Sequence, residues 1–242
     1  MEEIVRQVTA RVMAALKARD GSCGAAAGCG GTLSQTESPA SAPSQVSASA
    51  SGYRHGVGVG VSNRHVHLCA ADLRKLFGAA YKLEPVRELS QPGEFASTAF
   101  VDVEHGGRKI GKLRVLGPLR EKTQIELSAT DARALKISLP VRNSGDTAGS
   151  PGVKLSGPSG SVDLSEGCII ASRHLHLTEA DAARLGIKNN QLVSVRLGGS
   201  KSGVIDNVFC RVSDSYSYEL HIDTDDANAF LQKTGDIAEI IL

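Results

Sequence analysis

A mainly β body with short helices, built as two related halves and carrying an N-terminal appendage, is the fold class this 242-residue sequence predicts. Three observations predict it. Short segments with period-two alternation recur from about residue 53 onward. A His-x-His element occurs twice with matching flanks. The composition also changes abruptly near residue 52, from small and polar residues to aliphatic ones.

The appendage comes first. In "MEEIVRQVTARVMAALKARD" (1–20), Ile4, Val5, Val8, Val12 and Leu16 fall on one stripe at helical period, with Glu2, Glu3, Arg6 and Lys17 opposite. A helix this short is marginal alone in water and needs a partner surface. Residues 21–52 are mostly Gly, Ala, Ser and Pro with Glu37 as their single charge. Such a stretch buries too little apolar area to offset its ordering entropy, so it reads as a flexible linker.

In the body, "HGVGVGVS" (55–62), "KLRVLG" (112–117), "TQIELS" (123–128), "QLVSVRL" (191–197), "NVFCRVS" (207–213) and "YELHIDT" (218–224) have strand patterns. Short helices are expected at 70–78, 130–137, 179–187 and 224–235. Strands separated by single short helices suit small barrels or sandwiches capped by helices. The halves align through the repeat: "RHVHL" (64–68) matches "RHLHL" (173–177), Ala71-Asp72 matches Ala180-Asp181, and Leu76 matches Leu185. Thr178 and Asp181 have capping-box spacing at the second helix start, whereas Cys69 weakens the first cap.

Composition excludes several functions. Lys+Arg number 27 against 26 Asp+Glu, so a net charge of +1 offers no field for nucleic acid. No apolar run reaches the ~20 residues needed to span a bilayer, and no membrane role is expected. Five cysteines without paired spacing read as reduced thiols in a cytosolic compartment.

The repeat carries the chemistry. Alternate residues share one face of a strand, so His65 and His67, and likewise His174 and His176, can each grip one metal ion. A catalytic zinc takes three protein ligands and keeps an open position. Third ligands are sought on the polar faces of two strands: Gln124, Glu126 and Ser128 on one, Glu219, His221 and Asp223 on the other. Glu126 and His221 are the candidates, although spacing does not separate them from their neighbours. Arg120 follows a Gly-Pro turn, where a guanidinium could clamp phosphate bidentately. "LGGSKSG" (197–203) lacks the pattern of a phosphate loop.

Together, "SNRHVHL", "GPLREKTQIELSATDARAL", "PVRNSGD", "SRHLHLTEADA" and "DNVFCRVSDSYSYELHIDTDDANA" resemble the phosphate propanoyltransferases of bacterial microcompartments, over residues 57–242. The resemblance implies two β-barrels capped by short helices and discontinuous in sequence, roughly 64–171 as one barrel and 53–63 with 172–242 as the other. It implies two zinc ions per chain, one on His65, His67 and Glu126 and the other on His174, His176 and His221. Arg120 matches the family's phosphate-binding arginine. The implied reaction moves an acyl group between coenzyme A and phosphate, with propanoyl-CoA and phosphate giving propanoyl phosphate and CoA, as in propanediol degradation. The appendage is similar to encapsulation peptides. This implies bacterial cytoplasm inside a microcompartment, with shell proteins or sister copies as partners of residues 1–20, and a homo-oligomer. The competing readings are a binuclear zinc acyl-CoA hydrolase and a non-catalytic, metal-stabilised shell adaptor.

Overall fold

The structure is a computed structural model that describes residues 53–242. The expected helix at 1–20 and linker at 21–52 lie outside the described residues.

Six strands close into a barrel in the order β1-β14-β11-β13-β12-β15: β1 (Gly56–Ser62), β11 (His174–Leu177), β12 (Leu192–Leu197), β13 (Gly203–Val212), β14 (Glu219–Asp223) and β15 (Ile237–Ile241). The other nine form a barrel-like sheet: β2 (His65–His67), β3 (Pro85–Glu88), β4 (Phe95–His105), β5 (Arg108–Gly117), β6 (Gln124–Glu126), β7 (Val141–Arg142), β8 (Lys154–Ser156), β9 (Ser161–Asp163) and β10 (Cys168–Ala171). Its path runs β7-β10-β6-β2-β5-β4-β8-β9, with β3 paired on β4, and it does not close on itself. Each sheet encloses its own aliphatic core. Val59, Leu175, Val195 and Leu220 are fully buried in the closed barrel, and Val66, Leu113, Ile125 and Leu155 in the other.

Among the described residues four helices cap the sheets: α1 (Ala70–Phe77), α2 (Ala129–Leu135), α3 (Glu179–Leu185) and α4 (Thr224–Phe230). The caps follow their sequences. Thr178 Oγ1 accepts the Asp181 amide at the start of α3, whereas Cys69 makes no side-chain cap to α1. The helix expected over 224–235 stops at Phe230, because Leu231 takes a left-handed conformation as its C-cap.

The chain crosses between the sheets twice, each time just before a His-x-His element. It leaves β1 of the closed barrel to enter β2 of the other sheet, and leaves β10 to enter β11. On both sides the histidine strand has one parallel and one antiparallel neighbour. β2 lies between β5 and β6, with His65 opposite Glu126; β11 lies between β13 and β14, with His174 opposite His221. Flanking contacts follow suit. Arg64 pairs with Asp131 of α2 at 3.1 Å and Arg173 with Asp226 of α4 at 2.8 Å, while Ser128 and Asp223 N-cap those two helices.

Candidate active site

Both crossings open onto one cavity of about 460 Å³, lined by His65, His67, Glu126, His174, His176 and His221. That volume lies in the range of small-molecule sites. Arg120 lines it as well, so all seven residues singled out from sequence meet at one place.

In the first trio, the donor atoms of His65, His67 and Glu126 all lie within 4.8 Å of one another, and the three residues are buried. His65 Nδ1 donates to the Asn63 carbonyl at 2.7 Å, which fixes the tautomer and turns Nε2 toward Glu126 Oε2, 3.4 Å away. His67 Nδ1 is buried with no hydrogen-bond partner among the described residues. Burial, then the neighbouring His65 and Arg120 charges, push the His67 pKa down to about 3, so its imidazole is neutral near pH 7. For Glu126, burial works against ionisation, but the charges of His65, His67 and Arg120 and the Ser144 hydroxyl outweigh it. Its carboxyl is held below the usual range.

A polar network fixes Glu126. Ser144 Oγ donates to Glu126 Oε1 at 2.8 Å, and Gln124 Nε2 donates to the same oxygen at 2.5 Å. Arg120 joins through its Nη1–H donated to Ser144 Oγ at 3.0 Å, with Glu94 3.7 Å away on its other side. Ser144 and Gly145 belong to the "PVRNSGD" loop, and the Gly145 amide donates to Gln124 Oε1 at 2.8 Å. Gln124, a candidate ligand by face, thus serves the carboxylate beside it. Ser128, the other, caps α2 instead.

In the second trio the ring centroids of His174, His176 and His221 are 4.8–5.0 Å apart. His174 Nδ1 donates to the Ser172 carbonyl at 2.9 Å, the counterpart of the His65 contact. Among the described residues, neither ring nitrogen of buried His176 has a partner. Burial and the neighbouring histidine charges push His174 down to about 4 and His176 down to about 2. Tyr216 stacks on His176, with centroids 4.3 Å apart and planes 13° apart. His221 Nε2 meets Glu219 Oε2 at 2.6 Å. Burial raises the Glu219 pKa, but hydrogen bonds from His221 and Ser90 more than offset it and hold the group below the usual range. Asp223 turns away from the trio to cap α4.

Buried ring nitrogens without partners are rare, because each leaves a polar group unsatisfied. A metal ion is a partner that buried, unpaired imidazole nitrogens fit, and the His₂-carboxylate set is a donor combination that metals take. Among the described residues, His65, His67 and Glu126 are the set whose donor atoms converge closely enough to hold a metal ion.

Sequence reasoning missed Ser144, Glu94 and Arg211. Arg211 lies opposite His176 on β13, lines the cavity, and stacks over Tyr216 with its Cζ 5.4 Å from the ring centre. Its signal was its place in a strand beside β11, visible only once the pairing is known. His55 and His105 do not line the cavity.

A metal-type donor site walled by arginines, set between two β sheets, defines a protein that acts on an anionic small molecule. Comparison narrows this. The sequence model of the phosphate propanoyltransferase family matches residues 58–233. Phosphate propanoyltransferases from Thermotoga maritima and Rhodopseudomonas palustris are 45% and 42% identical over 77% and 76% of this chain, covering 89% and 81% of their own lengths. One from Listeria monocytogenes is 42% identical over 77% of this chain and 87% of its own. The chain belongs to the phosphate propanoyltransferase family and is an acyltransferase, in a family that moves acyl groups between coenzyme A and phosphate. Among the described residues no helix is long and apolar enough to cross a membrane.

Proposed function

We propose that this chain converts propanoyl-CoA and phosphate to propanoyl phosphate and CoA in a zinc-dependent reaction. His65, His67 and Glu126 hold one ion, His174, His176 and His221 hold the other, and Arg120 binds phosphate. The observation that carries this reading is the convergence of both donor trios and Arg120 on one cavity. Zinc bound there supplies Lewis acidity toward a carbonyl oxygen and stabilises sulfur as thiolate.

The residues do the rest. Arg120 presents a planar guanidinium whose Nη1 is steadied by Ser144, so an anion entering the cavity meets an oriented fork. Arg211 adds a second positive charge to the wall. A phosphate oxygen attacks the thioester carbon, the C–S bond breaks, and its electron pair leaves on the CoA sulfur. We favour this direct displacement over an acyl-cysteine. None of Cys69, Cys168 and Cys210 lines the cavity, and burial pushes Cys168 up to about 12 and Cys210 up to about 11.

We further infer that the two halves arose by internal duplication, supported by the matched registers and caps. The domains are then 64–171 and 53–63 with 172–242. Residues 1–20 are read as a targeting helix on the linker 21–52, making the enzyme microcompartment cargo. Deleting 1–20 should leave acyl transfer unchanged and release the enzyme from shells in a cell that makes them; equal shell association without the segment would contradict targeting.

Isotope-labelled phosphate tests the reaction. Label recovered in an acyl phosphate, with CoA release that requires phosphate, is expected. Free acid formed at the same rate without phosphate would mark a hydrolase, and saturated metal sites without turnover a shell adaptor.

A further inference from the structure

We propose that Glu219 is a positioning residue for the second metal site, setting His221 in the tautomer whose Nδ1 is free to bind. This rests on the reading of His174, His176 and His221 as a ligand trio.

The two histidines that begin the repeats, His65 and His174, each give Nδ1–H to a backbone carbonyl two residues earlier and so keep Nε2 free. His221 sits in the position that Glu126 takes on the other side, opposite the leading histidine, and has no such carbonyl contact. Its Nε2 meets Glu219 Oε2 at 2.6 Å instead. A carboxylate only accepts, so Nε2 carries a proton, and in the neutral ring that a metal requires the lone pair lies on Nδ1. The Gln91 side-chain nitrogen also approaches Nε2, but at 3.5 Å it is the weaker contact. A carboxylate that takes the second N–H of a ligating histidine orients the ring and raises its basicity, and losing one typically weakens metal binding about 10–100-fold.

Besides His221, the carboxylate is held by a hydroxyl that comes from the other sheet. Ser90, between β3 and β4, donates its hydroxyl to Glu219 Oε2. Gln91 beside it is buried and exchanges two hydrogen bonds with the Ser217 backbone, both 3.1 Å. Gly60 of β1 leaves the space: a Cβ there would fall 2.9 Å from Glu219 Cδ. The nine-stranded sheet thereby sets the third histidine of the closed barrel.

The test is chelator competition on the zinc-loaded full-length chain, comparing wild type, Glu219→Ala and Glu219→Gln, with melting temperature as a control. Glu219→Ala should release one zinc about 10–100-fold more readily while the other zinc is held as in wild type. Glu219→Gln, whose amide oxygen can still accept from Nε2, should recover most of that affinity. In nitrogen-15 spectra of the imidazoles, wild-type His221 should carry its proton on Nε2. Unchanged affinity for both ions in Glu219→Ala would overturn the proposal and leave the ligand trios intact. Equal weakening of both sites would also overturn it, because Glu219 would then serve the fold. Glu219→Gln as weak as Glu219→Ala would overturn it too, pointing to the charge itself as a ligand. A wild-type chain that binds no zinc would overturn the metal reading beneath it.

Discussion

The two donor trios occupy equivalent places in the fold and differ in one position. Where the first has Glu126, the second has His221, each opposite the leading histidine of its strand. The difference reaches outward. Glu126 draws Ser144, Gln124 and, through Ser144, Arg120 around it. His221 draws Glu219, and through it Ser90 from the opposite sheet. A divalent ion on the first set would have one charge neutralised directly, while on the second it would keep both, with the nearest carboxylate one residue removed. With both ions bound as proposed, the same backbone would offer a tempered site beside a more electrophilic one. Such a pair suits a reaction in which a neutral thioester and an anionic phosphate must be handled side by side.

The largest expected effect is at Arg120, which ties the first trio's network to the cavity. Arg120→Ala should cut acyl transfer about 10²–10³-fold with zinc content unchanged, and Arg120→Lys should recover little because the planar fork is lost. Steady-state kinetics in phosphate and metal analysis check it; normal phosphate kinetics would reduce Arg120 to a loop residue.

Removing the difference between the trios tests it next. Glu126→His makes the first set resemble the second but leaves Ser144 and Gln124 without their acceptor. Metal should be retained more weakly, with turnover reduced about tenfold or more, in line with losing a hydrogen-bonded partner of a metal ligand. Wild-type turnover in this variant would show that the carboxylate has no special part.

Acid should affect the two sites unequally once metal is removed. In the folded chain His67, His174 and His176 are held down to about 3, 4 and 2, against an ordinary value of 6.5. Below that value the unfolded chain takes up protons that the folded chain refuses, so stability falls as pH falls from about 7 toward 4. Each histidine contributes a slope of up to about 1.4 kcal/mol per pH unit. Two of the three are in the second trio, so His174→Asn and His176→Asn together should flatten the profile more than His67→Asn. Denaturant titrations of the chelator-treated protein at several pH values check this, and equal flattening would contradict it.

Much of this site was legible in the sequence because its candidate ligands lie on strands, where period two puts alternate residues on one face. The repeated His-x-His showed two of each trio, and the polar faces of β6 and β14 narrowed the third. Which of Gln124, Glu126 and Ser128 would face the site was not legible. That depends on Ser128 leaving the strand to cap α2 and on Gln124 turning to the carboxylate. Ser144, Arg211 and Ser90 stayed hidden because each arrives from a segment distant in sequence, through strand pairing or a loop crossing between sheets. β4 escaped for a local reason. Its inward and outward residues alternate from Ser97 to Val103, but Ser97 is buried and Phe100 exposed, which inverts the apolar–polar contrast that reveals a strand.

The smallest effect concerns the thiols. Cys168 and Cys210, each buried in a separate core, should stay unmodified by a thiol reagent at pH 8 in the native protein and react on unfolding. Fast native labelling of either one, with loss of activity, would reopen the acyl-cysteine route.

The most direct test of the two proposed metal sites is elemental analysis of purified wild type beside His65→Ala and His174→Ala. Close to two zinc equivalents per chain are expected in wild type, with one lost in each variant and the remaining ion at the untouched trio. Full metal retention in both variants, or a wild type without metal, would contradict the account.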